Sequence, residues 1–235
     1  MAGKRDDGPR RLPAGRHGLS REFVVESQRD RVLDAIATAC AEKGFATVTV
    51  ADVTGRARVS RSTFYELFRD LEDCFLAAYD VIYGKFLAAT LTAYQREAEW
   101  PDRVRAGIEA ILEFMVAEPA FARMCMVEPL AAGPAAVERY FAAVNVIATF
   151  LDEGRREHRS AEKAPASMAK GIVSGAALVV REQILAAQTE RLPELLPELL
   201  YAALVPFLGQ REALRAATAV GAFRSARSLS APASA

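Results

Sequence analysis

Three helix-start signals follow one another closely in the N-terminal part of the chain, and they constrain the fold more than any other feature. Thr49 begins a variant of the capping box, Ser60 follows a short turn as a good N-cap, and Asp70 opens an acidic first turn. These signals predict two very short helices, at about 50–56 and 61–67, between two long ones. Helices of this length are unstable alone, so their apolar residues must pack on the long helix before them.

Apolar residues recur at helical spacing along most of the chain. The stretch "RVLDAIATACAEKG", residues 31–44, has an amphipathic stripe that ends at a glycine, although the sequence leaves open whether this helix runs unbroken from residue 20. Alternation typical of strands is not found, so the sequence predicts an all-α protein. Prolines and a glycine separate the later helices, which we expect at 71–98, 102–117, 119–132, 134–157, 165–189 and 193–208.

Composition narrows the class of protein. The formal net charge is zero, so any affinity for nucleic acid must come from how the charges are distributed. Three widely spaced cysteines without a CxxC pair are typical of reduced thiols in a cytoplasmic protein, and Cys125 is either an inert buried thiol or a redox switch. The longest strongly apolar run, 172–180, is too short to span a membrane.

Residues 1–19 are basic and rich in glycine and proline, which favours a flexible arm. If this arm contacts DNA, Arg10, Arg11 and Arg16 would enter the minor groove. The alternative is a solvated terminus without a role.

The sequence carries none of the common motifs of catalysis or metal binding. It has only two histidines, His17 and His158, and no cysteine or histidine pair lies at the spacing of metal ligands. HExxH, GxSxG and a glycine-rich phosphate loop are also missing from the sequence. We therefore expect no catalysis, no metal and no cofactor.

The second short helix has the pattern of a DNA-reading helix. Phe64 and Phe68 would face the core, which leaves Arg61, Ser62 and Tyr65 on other faces. An arginine can pair with a guanine edge, and hydroxyl groups bind phosphate. Two short helices joined by a tight turn therefore predict a helix-turn-helix, with a helical hairpin that has a solvated basic face as the alternative.

Three stretches, "RVLDAIATACAEKGFATVTVADV", "VSRSTFYELF" and "RDLEDCF", combine a glycine–aromatic pair, spaced threonines and a V-S-x-x-T-aromatic-Tyr pattern. Together they resemble the DNA-binding domain of the TetR (tetracycline-repressor-like) family of bacterial transcriptional regulators. The resemblance implies a three-helix helix-turn-helix DNA-binding domain at 20–70, a larger helical ligand-binding and dimerisation domain at 71–209, and a two-fold dimer formed by the last two long helices. We expect residues 210–235 to form a disordered tail.

The resemblance also assigns DNA contacts. Thr49 matches a threonine that caps the first short helix and touches phosphate, and Tyr65 matches a tyrosine whose hydroxyl reaches phosphate. Arg61, near the start of the recognition helix, is the expected base contact. The full set of expected DNA contacts is Thr49, Arg58, Ser60, Arg61, Ser62, Thr63, Tyr65 and Arg69.

Two positions depart from the family pattern. Arg58 stands where the family has a turn glycine, which predicts a cost of positive φ but adds a cation for phosphate. Leu71 stands where the family has a lysine after the recognition helix, and Arg69 is placed to compensate.

In the second domain, aromatic and methionine side chains are most often plain core, but in a protein of this family they would also line a pocket for an apolar or aromatic effector. The expected pocket residues are Tyr83, Phe86, Phe114, Met115, Phe121, Met124 and Tyr140. Small residues and leucines at helical spacing suit a two-fold helical interface, with packing inside one chain as the alternative. The expected interface residues are Gly171, Gly175, Leu195, Leu199 and Ala203.

The sequence thus predicts a ligand-responsive repressor that binds a pseudo-palindromic double-stranded DNA operator as a homodimer and is released by a small, largely apolar molecule. We expect it in the cytoplasm, without a membrane partner. The alternative is a helical ligand-binding or nonspecific DNA-associated protein without operator-specific repression, which the departure at Leu71 favours.

Overall fold

Helix α1 (Arg21–Lys43) is the scaffold of the N-terminal domain. The computed structural model describes residues 21–158 and 164–230, the last ten by their backbone alone, so the predicted basic arm lies outside the described residues. The helix is unbroken, and its inner face carries Val32, Ile36 and Cys40 at a spacing of four residues, all fully buried. Gly44, with φ 78°, ends it, and a 3-10 turn at Phe45–Thr47 follows.

The two short helices lie where they were predicted. Helix α2 (Val50–Ala57) and helix α3 (Arg61–Leu67) are followed by the long helix α4 (Leu71–Gln95). Val53 and Phe64 are fully buried against the inner face of α1. The short helices are therefore stabilised by tertiary packing rather than by their own hydrogen bonds.

The rest of the described chain is helical as well, which confirms the all-α prediction. The further helices are α5 (Trp100–Ala117), α6 (Pro119–Met126), α7 (Pro129–Ala132), α8 (Pro134–Glu157), α9 (Met168–Leu185), α10 (Leu196–Leu208) and α11 (Gln210–Ser230), with a 3-10 turn at Thr189–Leu195 before α10.

Two predictions about these elements are wrong. The helix expected at 119–132 is interrupted between α6 and α7, because Pro129 has no N–H for a continuing helix. The tail expected to be disordered from residue 210 forms α11 as far as residue 230. This helix packs along α10 and buries Ala213 and Ala217, so small residues serve here as a close-packing face.

One hydrophobic core runs through both domains. It joins the inner face of α1 to buried residues of α4, α5, α6 and α9. A second cluster lies at the far end of the larger domain, around Trp100, Leu204 and Phe207. The N-terminal domain therefore rests directly on the larger domain.

Among the described residues, α4 is the one helix whose length and apolar composition would allow it to cross a membrane. Its buried residues include Phe75, Tyr79 and Phe86, and it packs along α1 and α5. Its apolar character is that of a helix in a protein core.

Candidate DNA-binding and ligand-binding sites

Side-chain caps fix the start of both short helices. The Thr49 hydroxyl accepts a hydrogen bond from the Asp52 N–H, and the Asp52 carboxylate accepts one from the Thr49 N–H at 2.8 Å. In α3, the Ser60 oxygen accepts a hydrogen bond from the Thr63 N–H at 2.9 Å. These contacts confirm both predicted caps.

The Asp52 carboxylate also pairs with Lys43 at the end of α1. Its hydrogen bond with Lys43, followed by those with the side chain and backbone of Thr49, holds the pKa of Asp52 well below its usual range. The carboxylate is therefore ionised at neutral pH and ties α2 to α1.

The turn between α2 and α3 contains the backbone strain that the sequence predicted. Arg58 has φ 55° and ψ 47°, in the left-handed region, and its side chain is exposed. The last carbonyl of α2, that of Ala57, accepts a hydrogen bond of 3.1 Å from Arg31 of α1. The turn thus keeps its geometry without a glycine.

Helix α3 is anchored by its inner aromatic residues. Phe64 and Phe68 are buried, with ring centroids 5.8 Å apart, and the guanidinium of Arg29 lies 4.9 Å from the centre of the Phe68 ring. The orientation of the opposite face is therefore set by the core.

The outer face of α3 carries the exposed candidates. Arg61 and Ser62 are exposed in the first turn, and the Tyr65 ring is 54% exposed while its edge meets Phe64. Arg61 makes no ion pair with any residue that the structure describes. Such a face combines a cation with hydroxyl groups, which suits phosphate and base edges.

Some of the expected DNA contacts already have partners within the chain. The Ser60 and Thr63 hydroxyls lie 2.8 Å apart and bond to each other, and Ser62 donates to Glu66 at 3.2 Å. Arg69 pairs with Asp73 at 2.9 Å, so it compensates for Leu71 only if that pair opens. Leu71 itself is half-buried against the core.

The larger domain contains a partly open cavity of about 160 Å³ whose wall is almost wholly apolar. Helix α4 contributes one stripe to it, from Tyr79 to Tyr94, which spans about 22 Å at 1.5 Å per residue. The stripe consists of Tyr79, Tyr83, Phe86, Thr90 and Tyr94. The cavity is therefore long and narrow.

The predicted pocket residues divide into two groups. Five of them line the cavity: Tyr83, Phe86, Met115, Phe121 and Tyr140. Phe114 and Met124 do not, because Phe114 packs behind Phe86 and Phe121, and Met124 is fully buried in the core.

Sequence reasoning missed the aliphatic part of the wall, because leucine, isoleucine, valine and alanine at helical spacing look the same in a core and in a cavity. The missed residues include Ile108, Ile111, Val144, Ile147, Val173 and Ala176. Helical periodicity alone does not distinguish a side chain in a packed core from one that lines a cavity.

Burial makes the cysteines inert. Cys125 borders the cavity, and burial raises the pKa of its thiol well above the ordinary value, which a hydrogen bond with Tyr79 only partly offsets. Burial, and to a smaller extent the charge of Glu128, raises the pKa of the Cys40 thiol to about 12. Burial likewise raises the pKa of Cys74 above its usual range. The buried-thiol interpretation of Cys125 is thus favoured over a redox switch.

The expected interface residues lie in two different environments. Gly171 and Gly175 are exposed on α9, on the same side as Leu178 and Leu185, which are 56% and 52% exposed. Ala203 is only 4% exposed within its own chain and lines the cavity. Leu199 also lines the cavity, and Leu195 is half-buried against the core.

Glu128 connects the two domains. It lies between α6 and α7, is 5% exposed, and accepts a hydrogen bond of 2.9 Å from the Phe45 N–H. An ion pair with Arg123 at 3.4 Å balances its charge. Helix α6, whose Phe121 and Cys125 line the cavity, is thereby fixed to the turn that follows α1.

The helix-turn-helix domain thus shares its core with a larger helical domain that contains a cavity. Residues 32–78 match the model of the bacterial regulatory proteins of the tetR family. A search of curated proteins finds no match.

Several solved structures of bacterial regulators have the same fold as this chain. The fatty acid degradation regulator FadR of Bacillus halodurans superposes with a TM-score of 0.67 at 16% identity, over 78% of this chain and 96% of that one. FadR of Bacillus subtilis, solved in complex with stearoyl-CoA, superposes with a TM-score of 0.61 at 17% identity, over 77% of this chain and 97% of that one. A gamma-butyrolactone receptor (ArpA-like protein) superposes with a TM-score of 0.60 at 15% identity, over 85% of this chain and 99% of that one.

Residues 32–78 are therefore similar to the tetR family of bacterial regulatory proteins, and the chain shares its fold with solved regulators such as FadR.

Proposed function

We propose that this chain is a cytoplasmic transcriptional repressor that binds a pseudo-palindromic operator as a homodimer and is released by a small, largely apolar molecule. The observation that carries the proposal is the continuous core that joins the helix-turn-helix domain to an apolar cavity. A ligand that favours one arrangement of this core over another would change the affinity for DNA by the same free energy.

DNA recognition rests on the exposed face of α3. In a dimer, two such helices would lie about 34–36 Å apart, in successive turns of the major groove. Arg61 is free of ion pairs within the described chain and sits in the first turn, so we assign it the base contact. Arg58 and Tyr65, both exposed beside it, are suited to phosphate.

Dimerisation rests on α9. Gly171, Gly175, Leu178 and Leu185 form an exposed apolar stripe, and a methyl group placed on either glycine would meet nothing within its own chain. A flat apolar stripe of this kind is suited to close packing against the same stripe of a second copy around a two-fold axis. Since α11 covers part of α10, we place α9 at the centre of the interface.

The cavity supports an apolar effector. One protein of the same fold, FadR of Bacillus subtilis, was solved with stearoyl-CoA, which has a long apolar acyl chain, and another is a receptor for a neutral butyrolactone. An apolar wall of this extent on α4, α5, α8 and α9 would bury most of a ligand's surface.

A gel-shift titration tests the proposal directly. The purified chain is added to labelled DNA from the region upstream of its own gene and from neighbouring promoters, in low and moderate salt, with unlabelled random DNA as competitor. We expect a shift that specific DNA removes far better than random DNA, and a loss of the shift when a neutral apolar compound is added. No sequence-specific shift at any of these promoters would contradict the repressor function.

Nonspecific DNA binding is the second candidate, and it is favoured by the burial of Leu71 and the Arg69–Asp73 pair, which together reduce the free positive charge beside α3. Replacement of Arg61 by alanine separates the two. A specific reader loses about 1–3 kcal/mol of binding free energy and relaxes at one base position. A nonspecific binder weakens equally on all sequences.

A further inference from the structure

The polar groups in the cavity wall differ in whether the protein already satisfies them. The Thr90 hydroxyl donates to the Phe86 carbonyl at 2.9 Å. The Tyr94 hydroxyl lies 2.7 Å from a carboxylate oxygen of Glu153 and 3.1 Å from the Phe150 carbonyl. Neither group needs a ligand.

Tyr83 is the exception. Its hydroxyl oxygen is buried and has no hydrogen-bond partner among the described residues, although the residue lines the cavity. Buried hydroxyl groups in proteins are nearly always paired, because an unpaired one has lost water and gained nothing. Because the Tyr83 residue borders the cavity, a ligand bound there can supply the missing partner after a small shift of the ring.

The position of this hydroxyl is fixed by its neighbours. The Tyr83 ring stacks on Tyr79 with centroids 6.0 Å apart and an angle of 26°, and it lies 5.9 Å from the ring of Phe86 on the other side. A ring held between two others presents its hydroxyl in a constant place. Burial raises the pKa of Tyr83, so the hydroxyl keeps its proton at neutral pH and can donate it to a hydrogen bond.

The charges around the cavity disfavour an ionised ligand. The residues that line it include no Asp, Glu, Lys or Arg. Near the Tyr94 end, Arg103 pairs with Glu157, and next to Tyr140 in sequence, Arg139 pairs with Asp80. A carboxylate or ammonium group of a ligand would therefore be buried without a counter-charge, which is strongly unfavourable.

We propose that the cavity takes an uncharged, elongated apolar molecule that carries one acceptor oxygen of the carbonyl type, and that the Tyr83 hydroxyl donates a hydrogen bond to this oxygen. The proposal deepens the proposed function and rests on it for the statement that the cavity binds an effector. It adds the chemical class of that effector and the residue that selects it.

A displacement assay with three matched probes tests this selectivity. The neutral fluorophore N-phenyl-1-naphthylamine is bound to the full-length protein and displaced by 2-undecanone, by undecane and by undecanoate, which have the same number of carbon atoms. We expect the ketone to bind roughly three- to tenfold more tightly than the alkane, because a hydrogen bond from the Tyr83 hydroxyl to the ketone oxygen adds about that much affinity. Undecanoate at neutral pH should bind more weakly than either.

Two conservative variants locate the effect. Tyr83→Phe keeps the stacked ring and removes only the hydroxyl, so the ketone should lose its advantage while the affinity for undecane is unchanged. Tyr94→Phe is the matched control, because that hydroxyl already has partners in the protein and its removal should leave the ketone preference intact.

The outcomes separate this inference from the function on which it rests. Equal affinity for ketone and alkane in the unchanged protein, an unchanged preference in Tyr83→Phe, or tight binding of undecanoate would each overturn the assignment of ligand class. If the fluorophore does not bind at all, the cavity takes no apolar ligand, and the effector part of the proposed function fails with it. Operator binding in the gel-shift assay is independent of both results.

Discussion

Arg58 combines a strained backbone conformation with a cation that, under the proposed function, contacts DNA. Its left-handed backbone would suit glycine, and an arginine there costs about 1 kcal/mol. The same residue places an exposed guanidinium immediately before the recognition helix. This departure was visible in the sequence through the resemblance to the TetR family, whose pattern has a glycine at this turn.

Replacing Arg58 by glycine should therefore stabilise the chain and weaken DNA binding. We expect the free energy of unfolding to rise by about 1 kcal/mol in urea, and the salt dependence of operator binding to fall by about one phosphate contact. Arg58→Ala should lose the same contact without the gain in stability. Ala187→Gly, at the other non-glycine residue with φ 55°, should gain stability and bind DNA normally.

Gly154 makes room for a side chain of another helix, a role that no sequence pattern predicts. It lies inside α8, and a methyl group there would come within 2.3 Å of the buried indole of Trp100. Its contact partner belongs to another helix, so helix propensity alone suggests the opposite, that alanine would be better. Only the tertiary structure shows whether alanine at this position stabilises or destabilises the chain.

Gly154→Ala should destabilise the chain by about 1–3 kcal/mol, since the indole has no free space into which to move. Gly84→Ala in α4 is the matched control, because a methyl group there meets nothing within 4 Å, and it should stabilise by about 0.5–1 kcal/mol. Thermal unfolding of both variants measures the difference. Equal shifts of the two melting temperatures would contradict the clash.

At the scale of the helices, local features were predictable and distant ones were not. The caps at Thr49 and Ser60 join groups three residues apart, so a short stretch of sequence is enough to predict them. The bond from Phe45 to Glu128 joins residues 83 positions apart. The local sequence around Glu128, "MCMVEPL", gives no sign of which distant residue it contacts.

Removal of this contact should loosen the joint between the domains. Glu128→Ala leaves the Phe45 N–H and the Arg123 guanidinium without their partner, and we expect a loss of about 1–3 kcal/mol in unfolding free energy. Glu128→Gln keeps an acceptor oxygen and should lose less. Faster hydrogen exchange at the Phe45 amide would accompany both changes. Glu118→Ala, an exposed glutamate whose side chain caps nothing, should change neither quantity.

At the scale of the whole molecule, the all-α class followed from helical periodicity and helix boundaries, whereas the division into two domains was an expectation from the resemblance to the TetR family. The cavity and the free face of α9 did not. Leu178 and Leu200 are both leucines in apolar helices, yet one is 56% exposed and the other 1%. Which face of a helix is left uncovered depends on the placement of its neighbours, and α11, predicted as a disordered tail, is one of them.

The proposed dimer depends on that uncovered face. Leu178→Glu should convert the dimer to a monomer in sedimentation experiments, because it places a charge at the centre of an apolar interface. Operator affinity should then fall at least roughly 100-fold, as the two half-sites are no longer bound together. Leu130→Glu, at a leucine of α7 that is 70% exposed, is the control and should remain dimeric. A monomeric parent protein would contradict the model of paired recognition helices.

The three buried thiols have a practical consequence for measuring conformational change. A cysteine introduced at an exposed position of the N-terminal domain, such as Asp30 on α1, would react with a maleimide spin label while the native thiols stay silent. One label on each protomer would then give the separation of the two DNA-binding domains by pulsed electron resonance, with and without a ligand. The native sequence thus provides a spectroscopically blank background, and no cysteine has to be removed from the core to use it.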